Sequence, residues 1–400
     1  MIATFRDRFH IPVDTSGREV AYLCGHSLGL APKAAAQLVE TDLRSWAEMG
    51  VEGHLRAEAP WYGYHELVRL PLAQLVGAHP DEVVAMNSLT ANIHLLMVSF
   101  FRPDRDRYQI LMEANAFSSD TYAVVSQLRH HQIDERQSLV VASPRPGEDT
   151  IRTEDVVSLI HEHRDHLALV MMAGVNYLTG QFFDLAAVTA AAHHVGAVMG
   201  VDLAHAVGNV PLRLHDWGVD FAAWCSYKYL NGGPGAVAGA FVHRRHGWNP
   251  EVPRFAGWWG TDPETRFEMS PEFRPRPGAD GWQLSNPPIL GLAPLRASLE
   301  IFDEASMTRL RERSVELTGY LQERLGGRYP IITPRDPEAR GCQLSLRVGE
   351  GGGGLLAKLE AAGVVVDFRP PDVIRVAPVP LYNTEDDVDR LVAVLETGRP

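Results

Sequence analysis

Two polar residues stand where apolar runs of the sequence end. Asp202 follows the run at 197–201, and Lys228 follows the run at 221–227. Groups at the carboxyl ends of strands in an open α/β sheet face the ligand crevice. A partly desolvated lysine is a Schiff-base nucleophile, and a carboxylate on a neighbouring strand end keeps a pyridine ring protonated. The pair fits pyridoxal phosphate chemistry, but on its own it fits a structural ion pair equally well.

A second feature is suited to holding a phosphate group. A strand pattern at 83–86 leads through Ser88 and Thr90 into a helical pattern at 91–101. Backbone N–H groups and the Thr90 hydroxyl would then lie at a helix N-terminus, where an anion is favoured. Helix capping alone explains these residues equally well. The phosphate site, the acid and the lysine nevertheless occur in the order that a pyridoxal enzyme requires.

Seven short β-rich runs alternate with helical patterns and must position these groups. They lie at 83–86, 108–113, 139–142, 167–173, 197–202, 221–227 and 237–243. This alternation predicts an α/β fold with a mostly parallel central sheet and helices on both faces.

The C-terminal part of the chain has a different pattern. One helix, at 33–49, is predicted in the N-terminal segment. In the C-terminal part, helices are predicted at 292–302, 307–325 and 355–362, and strands at 343–348, 364–368 and 373–376. These elements predict a smaller α+β domain. We therefore expect an N-terminal segment at 1–55 that packs with the small domain, a large domain at 56–291 and the small domain at 292–400.

Composition and charge exclude several classes of protein. The 400-residue chain has 50 acidic and 37 basic residues, and its formal charge of −13 argues against binding to nucleic acid or to an anionic membrane surface. Cys24, Cys225 and Cys342 are too few and too scattered for a disulfide framework or a structural zinc site. The first ten residues lack the apolar core of a secretory signal, so a cytoplasmic location is expected. The apolar stretch at 167–201 is interrupted by polar residues and is interpreted as strand, turn, helix and strand.

Two further motifs are interpreted as structural. Glycines at 349, 351 and 354 match a dinucleotide-binding pattern, but no complete βαβ unit surrounds them, and a surface loop is expected. His161, His163 and His166 would point in different directions from a helix, so they do not predict a metal site. No metal is expected.

Long motifs of the sequence closely resemble kynureninase. They lie at 87–97, 202–209, 215–221, 225–231, 257–260, 285–289 and 375–383, and the resemblance spans nearly the whole chain. It implies a fold-type I pyridoxal phosphate enzyme, usually a homodimer. Such enzymes hydrolyse L-kynurenine or 3-hydroxy-L-kynurenine to an anthranilate and L-alanine, in tryptophan degradation and NAD biosynthesis.

The resemblance also implies roles for individual residues. Lys228 would carry the cofactor and act as general acid and base, Asp202 would face the ring nitrogen, and Tyr227 would donate a proton or bind the phosphate. The other cofactor-binding residues would be Leu89, Thr90, Phe117, Asp120, His205, Trp258 and Asn286. Arg375 would bind the substrate α-carboxylate, and the residues near the aryl ketone would be Ser27, His54, Thr261 and Asn286.

Some positions depart from the motifs of the family. His26 and Thr261 stand where asparagine and histidine are common, and Ala173 stands where serine is frequent. His26 and Thr261 are expected near the aryl pocket. We therefore expect these departures to leave the type of reaction unchanged. The preference among kynurenine, its 3-hydroxy form and other ring-substituted analogues stays open.

Three alternatives also stay open. The first is a kynureninase-like enzyme that acts on another ring-substituted kynurenine in a biosynthetic pathway. The second is a cysteine desulfurase or aminotransferase of the same fold. A desulfurase needs a nucleophilic cysteine on a mobile loop, whereas Cys342 lies in a strand-like segment at 341–348 and is expected to be packed. The third is a non-enzymatic binding protein.

Overall fold

A computed structural model describes residues 4–349 and 351–397 of the chain. The strands are β1 (Phe9–His10), β2 (Ala21–Tyr22), β3 (Ala31–Pro32), β4 (Val83–Ala85), β5 (Gln109–Glu113), β6 (Leu139–Ala142), β7 (Leu167–Ala173), β8 (Val198–Asp202), β9 (Phe221–Trp224), β10 (Gly239–Val242), β11 (Leu344–Arg347), β12 (Val364–Val365), β13 (Asp367–Arg369) and β14 (Val373–Val376). The α-helices are α1 (Lys33–Met49), α2 (Gly53–Arg56), α3 (Arg69–Val76), α4 (Leu89–Phe100), α5 (Ser118–His130), α6 (Glu135–Ser138), α7 (Thr153–Glu162), α8 (Leu185–His194), α9 (Leu214–Trp217), α10 (Arg244–Gly247), α11 (Ile289–Ala305), α12 (Met307–Leu325), α13 (Gly352–Ala361) and α14 (Glu385–Thr397).

The central sheet has seven strands in the order β4-β10-β9-β8-β7-β5-β6. The five strands from β9 to β6 run parallel, whereas β10 is antiparallel to both β4 and β9. All seven predicted strands are present, and the mostly parallel sheet is confirmed.

The strands are apolar along their whole length because both faces of the sheet are buried. Along β7, Leu169 and Met171 belong to the core that α4 and α5 cover, and Val170 and Met172 belong to the core that α7, α8 and α11 cover. Successive side chains of a strand point to opposite faces, so each layer of helices receives every second residue. The helices on both faces are thereby confirmed.

Three local predictions are corrected. Strand β9 ends at Trp224, so Lys228 lies four residues beyond the strand in a bend rather than at its last position. Helix α4 begins at Leu89, two residues earlier than predicted, because Ser88 already has the extended backbone of a helix N-cap. The glycines at 352–354 form the first turn of α13 and are not a loop, and the turn into this helix is made by Gly351 at φ 109°.

The C-terminal unit has its own sheet, with strand order β11-β14-β13. The predicted strand at 364–368 divides in two: β12 pairs in parallel with β2 near the N-terminus, and β13 pairs with β14. Ala21 and Leu23 pack in one core with Leu321, Ile374 and Val388. Residues near the N-terminus therefore pack with this unit, and the exact boundaries at 55 and 291 stay a prediction.

The apolar stretch at 167–201 folds as β7, a polar turn, α8 and β8, as predicted. Within residues 4–349 and 351–397, no helix combines the length and the apolar composition that crossing a bilayer requires.

Gly239 on β10 faces Trp224 on β9. A Cβ atom at Gly239 would lie 2.2 Å from the buried indole ring of Trp224. We therefore expect Gly239→Ala to lower the free energy of unfolding by about 1–3 kcal/mol, the usual cost of overpacking a core, measured by urea denaturation. The control is Gly319→Ala on α12, where no described neighbouring atom lies within 4 Å. This variant should be neutral or more stable by up to about 1 kcal/mol. Equal effects of the two substitutions would contradict the prediction.

Candidate active site

Lys228 lies in the bend that follows β9, beside His205. Its Nζ atom is 3.0 Å from Nε2 of His205. Burial, followed by the positive charge of Lys228, lowers the pKa of His205 well below its usual range. Because the imidazole is therefore neutral at physiological pH, Nε2 can accept a hydrogen bond from the lysine ammonium.

The bend that carries Lys228 packs against a glycine near the N-terminus. Gly29 donates its N–H to the Tyr227 carbonyl at 2.8 Å, and a Cβ atom at Gly29 would lie 2.3 Å from the Lys228 carbonyl oxygen. A glycine is needed at this close approach of two backbones. The motif at 25–29 therefore fixes the backbone of the lysine.

Three buried carboxyl groups share a cavity beside Lys228. Glu113 ends β5, Asp202 ends β8, and Asp120 lies in the first turn of α5. Burial raises the pKa of Glu113 to about 7, and burial followed by the neighbouring Asp202 raises the pKa of Asp120 well above its usual range. The cavity is lined by Glu113, Phe117, Asp120, Ala173, Val175, Tyr177, Asp202, Ala204 and His205. The cavity thus places the carboxyl group of Asp202, and two carboxyl groups with raised pKa values, next to any polar ring that binds there.

The N-termini of two helices meet next to this cavity. Thr90 in the first turn of α4 and Ser119 in the first turn of α5 lie 2.8 Å apart, Oγ1 to Oγ. Leu89 begins α4 and is half-buried. Two sets of free backbone N–H groups and two hydroxyls form a suitable phosphate site. Sequence reasoning assigned no role to Ser119, although it lies in the same short motif as Phe117 and Asp120.

Aromatic side chains lie above the lysine. Phe117 precedes α5, and its ring centroid is 5.7 Å from Nζ of Lys228 and 5.3 Å from the Tyr177 ring. The Phe117 ring is 42% exposed, so one face is free to stack on a bound aromatic group. Burial, followed by Cys225, raises the pKa of the half-buried Tyr227, which keeps its hydroxyl protonated at neutral pH.

Arg375 on β14 is only 1% exposed and reaches the same region. Its Nη1 donates to the Tyr177 carbonyl at 2.8 Å, and its Nη2 donates to Asp367 and, at 3.4 Å, to Ser27 Oγ. Ser27 in turn donates to Asp367 at 2.9 Å. Tyr177 joins this cluster to the cavity, since it lines the cavity itself. Neither Tyr177 nor Asp367 was predicted as a site residue.

Four predicted site residues lie elsewhere. Trp258 and Thr261 line a separate surface pocket formed by residues 256–274. His54 packs against Trp61 at a centroid distance of 5.4 Å, and Asn286 is exposed. Within the described part of the chain, none of the four lines the cavity beside Lys228.

The expectation that His26 and Thr261 both lie near the aryl pocket stays a prediction. His26 is fully buried, and its Nε2 lies 3.8 Å from Asp367 Oδ2 in the Arg375 cluster. Burial lowers the pKa of His26 to about 4, so the ring is neutral. The side chain lies against Asp367, the first residue of β13. Ala173, the third departure, lies in the cavity as its strand-end position implied.

Comparison with known proteins agrees with this geometry. A family model described as "Kynureninase C-terminal domain" matches residues 310–395. A kynureninase of Myxococcus xanthus is 56% identical over 98% of this chain and 93% of its own length, and one of Koribacter versatilis is 54% identical over 98% and 93%. The chain belongs to the kynureninase family. It is therefore a pyridoxal-phosphate-dependent hydrolase that cleaves a carbon–carbon bond of kynurenine.

Solved structures share the fold at low identity. The cysteine desulfurase of Thermococcus onnurineus NA1 has a TM-score of 0.76 at 17% identity and 94% coverage of both chains. The cysteine desulfurase CsdA of Escherichia coli has a TM-score of 0.77 at 18% identity, covering 98% of this chain and 97% of its own. These similarities confirm fold type I and carry no information about activity. All three cysteines of the kynureninase are buried, and Cys342 is packed as predicted, so the desulfurase alternative is not favoured.

Glu113 should make the stability of the protein depend on pH. Its pKa of about 7 exceeds the value of about 4.3 in an unfolded chain, so the folded state holds a proton that the unfolded chain releases. Stability therefore falls as pH rises from about 4.3 through 7, by up to about 3 kcal/mol for the cofactor-free protein. Glu113→Gln cannot ionise and should lose this decline, as measured by urea denaturation at pH 5 and pH 8.

The control for this experiment is Glu162→Gln at the exposed end of α7, which should keep the wild-type pH dependence. Identical pH profiles for the wild type and Glu113→Gln would show that Glu113 is ionised in the fold.

Proposed function

We propose that Lys228 carries pyridoxal phosphate and moves protons during the hydrolysis of L-kynurenine and 3-hydroxy-L-kynurenine. The observation that carries this proposal is the position of Lys228. The chain has three lysines; Lys33 and Lys358 are exposed on helices, whereas Lys228 is half-buried beside the cavity with three carboxyl groups. Its amine is the one lysine amine that lies near a candidate cofactor site.

The residues present fit the cofactor. His205 Nδ1 and Asp120 Oδ1 are buried and, among the described residues, have no hydrogen-bond partner, as expected for groups that face a bound molecule. Asp202 would face the ring nitrogen, Phe117 would stack on the ring, and Leu89, Thr90 and Ser119 would hold the phosphate at the paired helix N-termini. When bound, pyridoxal phosphate supplies an electron sink for the breaking carbon–carbon bond.

The remaining residues would act on the substrate. Arg375 would bind the α-carboxylate through its guanidinium, which suits a planar carboxylate. Lys228 would remove and return the proton at the substrate Cα, and the Tyr227 hydroxyl would donate a proton to Cβ after the bond breaks. Cleavage next to a γ-ketone requires addition of water to that ketone. Ser27 would lie at the end of the site that holds the Arg375 cluster.

We assign the reaction to tryptophan degradation in the cytoplasm. The hydroxylated product, 3-hydroxyanthranilate, would also supply NAD biosynthesis. Three free, buried cysteines agree with a reducing compartment.

A second copy of the chain would complete the site. His54, Trp61, Tyr62, Phe267 and Trp258 form a connected aromatic surface, with centroid distances of 5.4, 6.4 and 5.8 Å for the three non-sequential contacts. Exposed apolar side chains lie near this surface in sequence: Trp46 at 62%, Val51 at 78%, Leu55 at 72%, Phe267 at 70% and Met269 at 72% exposure. Such an apolar area is typical of a dimer interface. We therefore place His54, Trp258, Thr261 and Asn286 against the Lys228 cavity of the partner in a homodimer.

Lys228→Ala should lower the release of fluorescent anthranilate from L-kynurenine by at least about 100-fold, because both covalent attachment and proton transfer are lost. Lys33→Arg and Lys358→Arg should keep wild-type activity. Borohydride reduction of the holoenzyme followed by peptide mapping should find the cofactor on Lys228. Cofactor on either exposed lysine, or an active Lys228→Ala variant, would refute the assignment.

Subunit mixing should test the shared site. Lys228→Ala homodimers and homodimers carrying both Trp258→Ala and Asn286→Ala should each be nearly inactive. After exchange of subunits in equal amounts, half of the dimers are hybrids with one complete site, so activity should rise to about a quarter of the wild-type value. If the mixture has only the mean activity of its two parents, all site residues come from one subunit.

A further inference from the structure

Asp367 is half-buried against the arginine to which the proposed function assigns the substrate carboxylate. It begins β13 and pairs directly with Arg375 across the β13–β14 ladder. Its Oδ2 atom accepts hydrogen bonds from Arg375 Nη2, from Arg369 Nη2 at 2.9 Å and from Ser27 Oγ at 2.9 Å. Although burial raises the pKa of Asp367, His26 and Arg375 hold it below its usual value, so the carboxyl group is ionised.

The guanidinium of Arg375 is held from two sides. Tyr177 accepts from Nη1, and Asp367 accepts from Nη2. The Nε atom is buried and, within residues 4–349 and 351–397, has no hydrogen-bond partner. A guanidinium is planar, so fixing Nη1 and Nη2 also fixes the direction of the Nε–H bond. This donor and the second N–H of Nη1 are left for a bound ligand.

The charges of the cluster leave room for one more anion. Arg369 and Arg375 carry two positive charges, and Asp367 carries one negative charge. His26 is neutral at physiological pH, because burial lowers its pKa to about 4. One additional carboxylate would balance the cluster, and the buried Arg375 gains most from such a partner because Arg369 is 39% exposed to solvent.

We infer that Asp367 is a positioning residue for the substrate carboxylate: it orients Arg375 so that the buried Nε–H faces the ligand, and it limits the cluster to a ligand with a single carboxylate. The inference rests on the role proposed for Arg375. It assigns a role to three residues besides Arg375, namely Asp367, Arg369 and Tyr177.

The test compares variants as holoenzymes with two ligands. L-Alanine carries the carboxylate and L-alaninamide does not, and binding of each is followed by the absorbance of the cofactor. Asp367→Ala should weaken L-alanine and raise KM for L-kynurenine by about 10- to 100-fold, the range for one lost charge-assisted hydrogen bond, with kcat changed less than about threefold. Binding of L-alaninamide should not change.

Two further variants make the result specific. Asp367→Asn keeps an oxygen that accepts from Nη2, so it should recover most of the lost affinity for L-alanine. Asp372→Ala removes a half-buried carboxylate of the same hairpin that pairs with Arg347 instead, and it should behave as the wild type. If Asp367→Ala does not give holoenzyme, Asp367→Asn supplies the measurement, and its smaller loss must again be confined to L-alanine.

Three outcomes would overturn the inference: unchanged or tighter L-alanine binding in the Asp367 variants, equal weakening of both ligands, or no recovery in Asp367→Asn relative to Asp367→Ala. Arg375→Gln separates this failure from failure of the proposed function. If Arg375→Gln still binds L-alanine normally, Arg375 does not bind the carboxylate. If it loses L-alanine while the Asp367 variants do not, only the role of Asp367 is wrong.

Discussion

The desolvation of charged groups at the carboxyl edge of the sheet is the constraint on which the site depends. The half-buried amine of Lys228 lies 3.0 Å from His205, which lines one cavity with the carboxyl groups of Glu113, Asp120 and Asp202. A buried charge is costly unless it is paired or neutralised. Proton binding by Glu113 and Asp120, whose pKa values are raised, and the neutral state of His205 reduce the charge that the region must hold. This state of the cavity suits a bound ring that carries a positive charge.

The order of the strands explains how these acids come together. Strand β7 lies between β5 and β8, and its last residue, Ala173, pairs with Asp202 and donates its N–H to Glu113 at 3.2 Å. Alanine at this position has no hydroxyl to offer, whereas serine, which is frequent there in the family, would add a donor. Burial raises the pKa of Glu113, and the N–H of Ala173 opposes this shift.

Much of the fold could be predicted because burial on both faces makes each central strand a continuous apolar run. The same rule identified Asp202 as a strand-end carboxylate, and it applies equally to Glu113, which ends β5; that signal was present and was not used. Asp367 gave no such signal, since it lies inside a strand-like run and meets Arg375 only through the register of β13 and β14. The early end of β9 also escaped prediction, because the strand-like run continues through Cys225, Ser226 and Tyr227 without strand pairing.

Two of the departures from the family motifs lie in different parts of the structure. Both ring nitrogens of His26 lack a hydrogen-bond partner among the described residues, and the ring lies against Asp367, with Nε2 3.8 Å from Oδ2. An asparagine at position 26 would be uncharged like the neutral imidazole, so the exchange keeps the charge of the cluster. Thr261 lies on the surface that a partner subunit would bring to the aryl end. Under the proposed function, a change in ring preference would therefore arise at Thr261, whereas His26 would affect every substrate with an α-carboxylate alike.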